Sequence, residues 1–81
     1  MQRSEVLNLL QEILKRQGKT VAVREEATLQ EIGFRSLDFS ELALRFETAS
    51  GATLTFDAAP LRAIRTVRDV LDFFEKASAK N

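Results

Sequence analysis

Few of the 81 residues are of types that do chemistry unaided. The chain has no His, Cys, Trp or Tyr. Without histidine it lacks the usual general base and the commonest zinc ligand. Without cysteine it has neither thiolate ligands nor a disulfide framework. Carboxylates, lysines and hydroxyls remain, and among the hydroxyls Ser36 stands out. It follows Gly33-Phe34-Arg35 and precedes Leu37-Asp38-Phe39, where an amphipathic helix is expected to begin. A serine in that position is ordinarily an N-cap. The same helix end presents unpaired N–H groups and a partial positive charge, which stabilise an attached phosphate. Ser36 is therefore a candidate for phosphoryl modification as well as a cap. A self-sufficient enzyme is not expected, because acid–base work would fall to Asp, Glu or Lys alone.

The elements that must position Ser36 follow from apolar spacing. Val6, Leu9, Leu10, Ile13 and Leu14 recur at helical intervals after Ser4, a candidate cap, and Gly18 ends this first helix. Residues 19–35 read as a long, flexible loop holding one helical turn, since Thr28 and Glu31 match a capping box and Gly33 follows closely. The second long helix is expected from Ser36 to about Ala49, with Phe39, Leu42, Ala43 and Phe46 facing the core. Thr53, Leu54, Thr55 and Phe56 form a short extended stretch. Asp57 then caps a brief helix with Pro60 in its first turn, carrying Leu61 and Ile64 inward. Thr66, with Asp69 three positions on, opens the last helix, whose apolar face is Val67, Val70, Leu71 and Phe74. Ala77 to Asn81 is a polar tail expected to fray. The reading is one all-α domain over 1–81, with an ordered core of about 4–77 and no internal repeat.

At 100° per residue, Leu37 and Leu44 point nearly opposite to the Phe39, Leu42 and Phe46 stripe. They share that outer face with Ser40 and Glu41. Two large apolar side chains beside polar ones on a solvent face suit a docking surface. Scattered exposed leucines are also ordinary and need no explanation.

The run Leu29-Gln30-Glu31-Ile32-Gly33-Phe34-Arg35-Ser36-Leu37-Asp38-Phe39-Ser40-Glu41-Leu42 resembles the modification segment of acyl carrier proteins. In that family a Leu/Ile-Gly-x-Asp-Ser-Leu-Asp run contains the serine that receives 4′-phosphopantetheine, and a Glu-Leu pair follows. Phe56-Asp57 and Ile64-Arg65-Thr66-Val67-Arg68-Asp69-Val70 match the family's third helix and the start of its last. The resemblance spans essentially residues 4–77. It implies an acyl-carrier-like four-helix bundle: three long helices, a short third one, and a long loop between the first two. It also implies that Ser36 is the attachment point for an arm derived from coenzyme A, placed by a phosphopantetheinyl transferase that holds Mg²⁺. The arm's thiol would carry an acyl or aminoacyl group as a thioester, for fatty-acid-like, polyketide, lipid or other specialised biosynthesis. Leu37, Asp38, Glu41 and Leu44 would form the surface read by loading and acyl-transfer enzymes. On this view the missing histidine is natural, since the serine is a substrate and its activating base belongs to another protein.

Two departures accompany the resemblance. Arg35 replaces the usual Asp before the serine, reversing the local charge. It reads either as a solvated loop residue or as a group that pairs with phosphate or selects an acidic transferase site. Family members are strongly acidic, whereas this chain has 12 Lys+Arg against 12 Asp+Glu. Arg62, Arg65 and Arg68 add a cationic run at three-residue spacing, either a solvated face or a device against basic docking sites. Net neutrality gives no field for nucleic acid or an anionic membrane, and a small helical nucleic-acid binder is not expected. An unmodified helical adaptor that binds a protein through Leu37 and Leu44 remains the alternative. No apolar stretch is long enough for a signal-peptide core or a membrane span, so a cytoplasmic monomer is expected.

Overall fold

Helix starts in this chain are set by acids three residues in, and two of them displace a serine from the cap. The computed structural model describes residues 2–19, 23–51, 54 and 62–79. Helix α1 spans Arg3–Arg16. Its cap is Gln2 and not Ser4, because the Glu5 carboxylate accepts the Gln2 N–H at 3.0 Å and starts the helix earlier. Lys15 and Arg16 close it where cations complement the dipole. Val6, Leu10, Ile13 and Leu14 are buried and Leu9 is half-buried, as the spacing requires.

The loop that follows contains helix α2, Leu29–Ile32. Thr28 and Glu31 make the expected capping box: Glu31 accepts the Thr28 N–H at 2.9 Å, and the Thr28 hydroxyl accepts the Glu31 N–H at 3.1 Å. Gly33 ends the helix at φ +71°, a left-handed conformation that a side chain disfavours. Helix α3 spans Ser36–Ser50 and is closed by Gly51 in the same conformation. Helix α4 spans Val67–Ala79, so it continues past the Ala77 at which fraying was expected. The extended stretch around Thr53, Thr55 and Phe56, and the body of the short helix expected at Asp57, Pro60 and Leu61, lie outside the described residues. Of their flanks, Leu54 and Ile64 pack half-buried on the core.

Among the described residues the architecture is all-helical. Helix α1 packs on both α3 and α4. Leu42, Ala43 and Phe46 from α3 meet Val67, Val70, Leu71 and Phe74 from α4 in one buried cluster. The Phe46 and Phe74 rings lie 4.9 Å apart at their centres, and both are fully buried. Removing a ring of this kind from a core costs about 3–5 kcal/mol. Phe39 is only half-buried, at the edge of the cluster, with its ring 5.5 Å from that of Phe74.

The loop is fastened to both α4 and α1. Its residues 25–29 lie along the start of α4: Leu29 N–H bonds the Arg65 carbonyl at 2.9 Å, Val67 N–H the Ala27 carbonyl at 3.0 Å, and Arg68 N–H the Glu25 carbonyl at 2.9 Å. Thr28 and Thr66 thereby form an isolated antiparallel bridge. Arg3 adds a clasp from α1, with its guanidinium 2.8 Å from Glu25 and 2.7 Å from both Asp72 and Glu75. These pairs are exposed enough for water and salt to screen them, so each contributes little alone. Together they tie α1, the loop and α4 at one place.

Candidate functional site

The chain approaches Ser36 along a pinned path, not the flexible one expected. Phe34 is buried, and its N–H bonds the Leu29 carbonyl at 2.9 Å. The Lys19 ammonium donates to the Gly33 carbonyl. A Cβ at Gly33 would come within 2.8 Å of that ammonium, the movable end of a flexible side chain, so it is the positive φ that calls for glycine there.

Helix α3 then begins with an unusual division of labour. The N-cap is Arg35, whose backbone N–H is accepted by an Asp38 carboxylate oxygen at 2.8 Å. Ser36 is thus the first helical residue and not the cap. It is exposed, and among the described residues its hydroxyl makes no hydrogen bond. The neighbouring Ser40 hydroxyl is occupied, donating to the Ser36 carbonyl at 3.3 Å. First-turn N–H groups have no intrahelical acceptor and carry the positive end of the helix dipole. A free hydroxyl at the head of such a turn is suited to bear a phosphodiester.

Asp38 departs from the sequence expectation. The resemblance put it on the surface read by other enzymes, but it is 7% exposed, and its second oxygen accepts from the Gln17 side-chain amide. Helical geometry accounts for this: Asp38 sits only 40° around the wheel from Leu42, beside the buried stripe. Its carboxylate starts α3 and fastens it to the end of α1. No buried side-chain polar atom among the described residues lacks a partner, so the carboxylate is fully accommodated.

The remaining candidates do reach the surface. Leu37 is 83% exposed and Leu44 65% exposed, on the outer face of α3 as the wheel requires. Glu41 lies between them, with its carboxylate 2.9 Å from Arg45, which also reaches Glu12 at 3.5 Å. Arg35 is exposed at the head of this face. Of the arginine run, Arg62, Arg65 and Arg68 are all exposed, and Arg68 pairs with Glu25 at 3.5 Å.

Sequence reasoning missed a cleft of about 630 Å³ beside Ser36. Leu29, Phe34, Phe39 and Ile64 line it with apolar surface, while Gln30, Arg35, Ser36 and Ser40 supply polar groups. Its described lining falls within residues 29–40 except for Ile64, and no spacing pattern places Ile64 against that stretch. Spacing assigns Phe39 wholly to the core with Leu42 and Phe46, and only the structure shows it half-buried at the cleft. No group of three or more potential metal ligands occurs among the described residues. Nor is any helix among them long and apolar enough to cross a membrane.

No family model matches the chain. Among solved structures, the crystal structure of an acyl carrier protein from Thermotoga maritima is similar to it. The two are 28% identical and superpose with a TM-score of 0.71, covering 99% of this chain and 94% of that one. The fold is thus an acyl-carrier-like helical bundle, the likeness being to a carrier and not to a catalyst.

Proposed function

We propose that this chain is a carrier of acyl or aminoacyl groups, held as thioesters on a 4′-phosphopantetheine arm attached to Ser36. One observation carries the reading: within an acyl-carrier-like fold, Asp38 takes over the capping of α3 and leaves the Ser36 hydroxyl exposed, with no hydrogen bond among the described residues. A capping serine would have its hydroxyl committed to a backbone N–H.

The residues present fit the group. The Ser36 oxygen attacks the phosphorus of coenzyme A that bears the pantetheine arm. A phosphodiester forms, the P–O bond to adenosine 3′,5′-bisphosphate breaks, and the serine proton passes to a base on the transferase. The first-turn N–H groups of α3 favour the resulting negative charge, and Arg35 stands next to it. The arm supplies a thiol that this chain, without cysteine, does not have. The cleft beside Ser36 offers apolar wall to whatever extends from it. Loading and transfer enzymes then meet the exposed Leu37 and Leu44 face of α3.

The test is intact mass. Incubation with coenzyme A, Mg²⁺ and a broad-specificity phosphopantetheinyl transferase is expected to add one phosphopantetheine, and Ser36→Ala to abolish the addition. Wild-type protein that stays unmodified with several unrelated transferases, yet holds a partner through Leu37, would establish the adaptor reading instead.

A further inference from the structure

We infer that the α3 face docks an enzyme surface whose apolar pocket is rimmed by carboxylates near Ser36, the reverse of a basic docking patch. The inference rests on the carrier reading for the enzyme's identity, and on charge placement for its chemistry.

Every carboxylate of α3 is already engaged within the chain. Asp38 is buried on the Arg35 N–H and the Gln17 amide. Glu41 faces Arg45 at 2.9 Å, and Glu47 accepts the Leu54 N–H at 2.7 Å. Arg45 itself is shared between Glu41 and Glu12. Arg35, by contrast, is exposed, and no acid pairs with its guanidinium among the described residues. It adds to the positive end of the α3 dipole and to the Lys19 ammonium held at Gly33. The end of the face that any enzyme acting on Ser36 must approach is therefore net positive. Leu37, one residue beyond Ser36, and Leu44, two turns further, supply the apolar anchors. A basic partner would bury its cations against Arg35 with no unengaged carboxylate on α3 to receive them, while an acidic one gains a charge-assisted contact.

The decisive measurement is binding without coenzyme A, using the Ser36→Ala chain so that no phosphodiester can form. The probes are a phosphopantetheinyl transferase with a basic carrier-docking surface and a version of it with those basic residues changed to Glu. At low salt the acidic version is expected to bind about ten-fold more tightly, a preference that added salt erodes. Arg35→Asp should invert the preference, and Leu37→Asp should weaken both complexes by about ten-fold or more. A parent chain that prefers the basic version, or binds neither, overturns the inference. So does an Arg35→Asp change that leaves the ratio within about two-fold. Self-association that Leu37→Asp abolishes would assign the face to a second copy. Retention on phosphatidylglycerol vesicles without a transferase preference would assign it to a lipid surface. Either result also overturns the inference. If the binding preference holds while the wild-type chain is never loaded, the attachment reading fails and the charge assignment stands.

Discussion

Helices α3 and α4 start with the same acid at the same position, yet they treat their hydroxyls differently. In α4 the pattern is Thr66-x-x-Asp69. The Thr66 hydroxyl accepts the Asp69 N–H at 3.2 Å, and the Asp69 carboxylate accepts the Thr66 N–H at 3.1 Å. Both halves of the capping box are committed to structure. In α3 the pattern is Arg35-x-x-Asp38. The acid performs its half at 2.8 Å, but the cap position holds Arg, and the serine has moved one place into the helix. One register step separates a hydroxyl that stabilises a helix from one that makes no hydrogen bond among the described residues.

The sharpest way to break the comparison is to remove each hydroxyl. Ser36→Ala should eliminate phosphopantetheine loading entirely, while changing unfolding free energy by no more than about 0.5 kcal/mol. A large loss of stability would mean that the hydroxyl caps after all. Next in size is Asp38→Ala, which takes a charged acceptor from both the Arg35 N–H and the Gln17 side-chain amide. It should cost about 2 kcal/mol in urea unfolding. Thr66→Ala should cost about 1 kcal/mol and leave loading of Ser36 unchanged, the converse of the serine substitution. Equal costs at Ser36 and Thr66 would erase the distinction.

The smallest effects per group are expected from acid. The Arg3 guanidinium holds the Glu25 carboxyl below its usual range, and the Thr28 N–H does the same for Glu31. The Arg65 and Thr66 N–H groups lower Asp69. Each group is lowered in the folded state, so its contribution is complete above the ordinary carboxylate range and is lost as pH falls through it. Thermal melting should therefore decline between about pH 5 and about pH 3, and Asp69→Asn should flatten part of that decline.

Much of this was legible in the chain because burial follows periodicity. The faces of α1 and α4, the Leu42, Ala43 and Phe46 stripe, the two Thr-x-x-acid boxes and the exposed Leu37 and Leu44 all follow from spacing. The resemblance places Asp38 on the read surface, whereas the structure buries it. Its partner Gln17 is an exposed residue just past the end of α1, where no local pattern points to it. Ser4 and Ser36 were both read as caps on type alone. Glu5, three residues after Gln2, and Asp38, three after Arg35, set the starts instead. The cleft, assembled from α2, α3 and Ile64, had no local signature.

The bridge between the loop and α4 has a kinetic consequence. The amide hydrogens of Leu29, Val67 and Arg68 are protected by the same contact, although 38 residues separate the first from the second. Lifting residues 25–29 away from α4 exposes all three at once. In deuterated solvent, at a pH high enough for opening to limit exchange, they should exchange with a shared rate. That rate would measure how often the segment leading to Ser36 comes loose from the rest of the molecule.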